Sequence, residues 1–108
     1  MDERRRFERV KIPESAKVQA CAPGGQALGP VRVLGKGGLM VGMPAMAPGE
    51  RRALVIVDDS EGIRRSVRAV SRYNMSEGVA FEFEELEAEA AVEIGVIIGK
   101  YYARGSGA

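Results

Sequence analysis

The chain has 108 residues, 45% of them hydrophobic, and a formal net charge of +1. That size suits one compact domain with a modest core, and the near-neutral charge excludes a molecule that holds polyanions through its overall field. Histidine is absent and Cys21 is the one cysteine, which removes an internal disulfide, a cysteine-based metal site and the Ser-His and Cys-His forms of nucleophilic catalysis.

The first nine residues carry four arginines, Arg4, Arg5, Arg6 and Arg9. Residues 1–10 read as a flexible, charged arm, followed by a single domain over residues 11–104. So charged a start does not read as a secretion signal. The longest apolar-rich run, Val92 to Ile98, contains Glu93 and is too short to span a bilayer. A reduced cytoplasm is the expected setting.

Period-two alternation begins at Ala16, Val18 and Ala20 and predicts a half-buried strand. Ala22-Pro23-Gly24-Gly25 is a turn. Leu28 to Leu34 reads as a second strand, Gly35-Lys36-Gly37-Gly38 interrupts it, and Leu39, Val41 and Met43 resume as a third. Pro44 to Gly49 is a loop, and Ala53 to Val57 a nearly all-apolar strand covered on both faces. Asp58 to Gly62 is a hairpin turn. Ile63 to Tyr73 is a long strand whose alternation slips near Ala69-Val70, where a bulge or bend is expected. Asn74 to Gly78 turns the chain into a last strand with Val79, Phe81 and Phe83 on one face. The period then changes: Leu86, Ala90, Ile94, Ile97 and Tyr101 form one apolar stripe of a helix over about 85–103. Glu85, Glu87 and Glu89 at its start and Lys100 and Arg104 at its end follow the order the helix dipole favours. The sum is a mainly β domain: six short antiparallel strands in a small barrel, with a C-terminal helix laid on it.

Four stretches invite a functional reading. Arg4-Arg5-Arg6-Phe7-Glu8-Arg9 is either a solvated basic tail or an anion clamp, because the planar arginine fork grips phosphate or the O6/N7 edge of guanine two bonds at a time. Gly35-Lys36-Gly37-Gly38 lacks the phosphate-loop spacing and is either a tight turn or a turn whose amides and Lys36 face an anion. Asp58-Asp59-Ser60-Glu61 fails the calcium-loop pattern and reads as a polar turn. Gly95 and Gly99 weaken a helix by about 1 kcal/mol each against alanine. They point to close approach of a neighbour, either the barrel or the helix of a second copy in a homodimer.

Taken in order, these pieces resemble the PilZ domain of bacterial cyclic di-GMP receptors. That family has an R-x-x-x-R arm, a strand, a D-x-S-x-x-G turn leading into a G-L-x-V strand, a six-stranded antiparallel barrel and a C-terminal helix. Here ERRRFERV (Glu3 to Val10) matches the arm, with Arg5 and Arg9 in the R-x-x-x-R places. The segments PGERRALVIV, VRAVSRY and EGVAFEFEEL fit the later strands. The resemblance implies cyclic di-GMP as ligand, with no other cofactor and no metal. Arg5 and Arg9 would clamp guanine and phosphate, and Arg4 and Arg6 would add contacts or long-range attraction.

The second motif departs from the family. Aligning Gly38-Leu39-Met40-Val41 with G-L-x-V puts Val33 in place of the Asp and Gly35 in place of the Ser, and only Gly38 is kept. Neither replacement offers a side-chain donor or acceptor. Two lost hydrogen bonds cost on the order of 0.5–1.5 kcal/mol each, or roughly five- to a hundredfold in affinity; Lys36, facing a phosphate, would return part of it.

The leading expectation is a non-enzymatic receptor or adaptor module that closes its arm on cyclic di-GMP and thereby changes the surface shown to a bacterial protein partner. One alternative is a PilZ-like interaction module that no longer binds nucleotide. Another is a small barrel binding single-stranded nucleic acid, which three Phe, three Tyr and no Trp support poorly. No membrane insertion is expected.

Overall fold

Wherever alternation predicts a strand, the computed structural model has one; it describes residues 9–107. The elements are β1 (Arg9–Lys11), β2 (Val18–Cys21), β3 (Ala27–Gly35), β4 (Gly38–Val41), β5 (Arg51–Asp58), β6 (Ile63–Met75), β7 (Gly78–Phe83) and α1 (Ala88–Gly107). All pairings are antiparallel. The strands run β3-β2-β5-β6-β7-β4, and β4 pairs back onto β3, so six strands close into a barrel.

The seventh strand, β1, corrects the expected arm. Arg9 and Val10 are not part of a loose segment. They pair with Gly35 and Leu34 of β3, and Lys11 pairs with Val33. Val10 and Ile12 are buried in the common core, and that burial pins the strand. Arg4, Arg5 and Arg6 lie outside the described residues. β1 and β2 share one edge of β3 end to end: β2 pairs with residues 27–30 and β1 with residues 33–35.

Inward-facing Val18, Ala20, Val31, Leu34, Leu39, Val41, Leu54, Ile56, Val67, Val79, Phe81 and Phe83 fill the barrel. β5 and β6 form the longest ladder, from Arg51↔Val70 to Asp58↔Ile63. Their turn is set by Asp58, whose Oδ1 accepts from the Ser60 amide (3.1 Å) and hydroxyl (2.7 Å), while Gly62 takes a positive φ of 68°.

The helix buries Ala90, Ile94, Ile97 and Tyr101 of the predicted stripe, together with Ile98, against β1, β3 and β6, whereas Leu86 precedes the helix and is only half-buried. It starts at Ala88 and not at 85, because the Glu84 amide still donates to the Arg68 carbonyl on the sheet and the first helical bond runs from the Ala91 amide to the Glu87 carbonyl. The barrel is not what Gly95 and Gly99 approach: a Cβ at either would meet nothing within 4 Å.

Two charged contacts dock the helix. Arg65 Nε of β6 donates to Glu93 Oε1 at 2.8 Å. That hydrogen bond holds the Glu93 carboxyl below its usual range, against the opposing effect of burial. Lys100 reaches the β5–β6 turn, donating to Ser60 Oγ at 2.5 Å, with Glu61 Oε2 at 3.3 Å and the fully buried Asp58 Oδ2 at 3.6 Å. Burial opposes the Lys100 charge, but bonds to Glu61 and Tyr101 and the Asp58 carboxylate outweigh it and raise its pKa.

The signs predict opposite pH windows. The depressed Glu93 stabilises fully above the ordinary carboxylate range, and that stabilisation is lost as pH falls through its folded value. The raised Lys100 stabilises fully below its ordinary value of 10.5 and loses this as pH rises through the folded value. Thermal melts of Glu93→Gln should therefore converge on wild type at acid pH and those of Lys100→Met at alkaline pH, each variant being the less stable near neutrality.

Candidate functional site

A groove of about 620 Å³ lies on the outer face of the sheet, across β1, β3, β4, β7 and β6. Register explains which side chains meet there. One row across the sheet is Lys11, Val33, Met40, Ala80 and Tyr73, each paired with the next. A second row runs from Arg9, opposite Gly35, over the Lys36-Gly37 turn to Gly38, then Glu82 and Val70. Arg9, Val33, Met40, Tyr73, Ala80 and Glu82 all line the groove, with Gly37 and Gly38 as part of its floor.

A bulge completes it. The β6–β7 register shifts between Ser71 and Tyr73, two residues beyond the expected Ala69-Val70. Strict alternation would alternate faces, but the extra residue lets Arg72 and Tyr73 both point outward into the groove. The residues on either side are latched. Buried Ser71 donates its hydroxyl to the Ala47 carbonyl (2.7 Å) and accepts from the Glu50 amide (3.0 Å). Asn74 exchanges two bonds with the Met46 backbone. Arg72 Nε then donates to Glu82 Oε1 at 2.6 Å, with both side chains about half exposed.

The predicted site residues separate accordingly. Arg9, Val33 and Gly38 line the groove. Gly35 is buried and serves as the ladder partner of Arg9, and Lys36 is exposed on the turn; neither lines the groove. Arg4, Arg5 and Arg6 lie outside the described residues. The sequence reading missed Arg72, Tyr73 and Glu82. The slip in alternation after Ala69 was their only signal, and it marked an irregular strand without saying which strands would face it.

Gly38 has a steric reason to be glycine. A Cβ there would sit 2.1 Å from the Phe81 carbonyl oxygen of β7. The Asp58-Asp59-Ser60-Glu61 turn lies at the helix side and is occupied by Lys100; among the described residues no cluster of acidic or cysteine side chains is disposed to hold a metal ion.

The closed barrel, the added strand β1 and the C-terminal helix agree with the comparison to known families, in which the PilZ domain model matches residues 3–99. The chain belongs to the PilZ domain family. PilZ domains are binding and adaptor modules, and the family is known for receptors of cyclic di-GMP. No curated protein matches the sequence significantly. No described helix is long and apolar enough to cross a membrane.

The glycines of the turn give a direct test of the packing. Gly38→Ala should destabilise the barrel by about 1–3 kcal/mol through overpacking against β7, whereas Gly37→Ala, where a Cβ meets nothing within 4 Å, should be close to neutral. Urea unfolding of the two variants beside wild type separates these outcomes.

Proposed function

We propose that this PilZ domain is a cyclic di-GMP receptor module that closes its arginine arm over the outer groove. The observation that carries the reading is the position of Arg9. It is the last arginine of R-x-x-x-R and the first residue of β1, and it lines the groove while its backbone is fixed against β3. Arg5 stands four residues earlier in the sequence and would join Arg9 in the clamp. Guanidinium forks there meet phosphate and guanine by charge-assisted, bidentate bonds. Closing the arm on the ligand would cover the groove and alter the surface offered to a protein partner.

A second reading has its own observation. Val33 and Gly35 stand where the family's turn carries Asp and Ser, and neither has a polar side chain. A PilZ module that binds only protein would need none.

Calorimetric titration with cyclic di-GMP, with GTP as control, decides between them. The receptor reading expects micromolar or tighter binding that falls roughly tenfold or more in Arg9→Ala, the effect of losing charged hydrogen bonds of about 1.5–3 kcal/mol, and further in Arg5→Ala/Arg9→Ala. Unchanged binding in the double variant sinks the clamp. Absence of heat at millimolar ligand selects the nucleotide-independent module.

A further inference from the structure

Resting on the receptor reading, we infer that Glu82 and Arg72 read the guanine edge, and so supply from β7 and β6 the polar chemistry that Val33 and Gly35 lack. Guanine presents two adjacent donors, N1–H and N2–H, beside the O6/N7 acceptors. A site that pairs only the acceptors leaves the donors desolvated and unpaired, which is unfavourable. A carboxylate beside a guanidinium matches all of these groups.

Among the described residues, Glu82 is the one carboxylate lining the groove. Its Oε1 is engaged by Arg72 Nε, while its Oε2 and the two Nη groups of Arg72 have no hydrogen-bond partner among the described residues. The pair therefore holds one free acceptor and one free donor fork side by side, already oriented. Stability does not account for this arrangement: the side chains are 53% and 55% exposed, and such surface pairs contribute about 0–1 kcal/mol. Access is open as well. The residue opposite Glu82 on β4 is Gly38, which puts no side chain between Glu82 and the arm side of the groove. The latches at Ser71 and Asn74 hold Arg72 in place from both directions along β6.

The test titrates wild type, Glu82→Gln, Arg72→Ala and Arg5→Ala/Arg9→Ala with cyclic di-GMP and with cyclic di-AMP, whose adenine lacks N1–H and O6. In Glu82→Gln the carboxamide would aim an N–H at the guanine donors. Cyclic di-GMP should weaken roughly tenfold or more, cyclic di-AMP should not weaken, and the preference for guanine should shrink. Arg72→Ala should also weaken cyclic di-GMP. Thermal melts should move little, which separates recognition from folding. If wild type binds, the arm variant does not, and Glu82→Gln keeps wild-type affinity and preference, the edge-reading role is overturned while the receptor reading stands. If wild type binds neither ligand, both are overturned.

Discussion

β3 must satisfy hydrogen bonds on both of its edges, and the architecture follows from that obligation. One edge meets β4, and this pairing closes the barrel. The other edge is too long for β2 alone, so β1 takes the remaining part. An open stretch of β3 there would present unpaired amides and carbonyls to solvent and to other chains. Irregularities between Ala20 and Cys21 and between Val31 and Val33 bend the strands through the curvature that closure demands. The chain's first described strand is thus a structural part, and it fixes Arg9 to the sheet.

The same strand connects two surfaces. Arg9 faces the groove, and Val10 beside it is buried in the core shared with α1. The helix is held in turn by Arg65–Glu93 and by Lys100 in the acidic turn. Alternating side chains of a three-residue strand therefore touch the groove on one side and the helix packing on the other. Arg9 at the groove is therefore one residue away from the core that the helix shares.

Much of this was legible in the residues because alternation and helical period are local signals. Val18 and Ala20, Leu39 and Val41, Val79, Phe81 and Phe83, and the stripe from Ala90 to Tyr101 are buried as their spacing implies. β1 was hidden because a three-residue strand with charged Arg9 and Lys11 flanking Val10 looks like the end of a basic tail. Its strand character comes from pairing with a partner some two dozen residues away. Glu82 and Arg72 were hidden for the same reason: they are ten positions apart and meet through the β6–β7 register, which the bulge shifts. Gly95 and Gly99 show the converse case, since of the two neighbours that small helical residues suggested, the barrel is not the one they approach.

The end of β3 and the start of β4 hold two kinds of position within six residues. At 33 the backbone pairs with Lys11 and Met40 on its two sides, and the side chain lines the groove. At 38 the neighbouring carbonyl of Phe81 leaves no room for any side chain. The side chain at 33 thus belongs to the groove's lining, whereas packing against β7 alone is enough to require the glycine at 38. A retained Gly38 bears witness to how tightly β4 approaches β7 and is silent about what the groove contains.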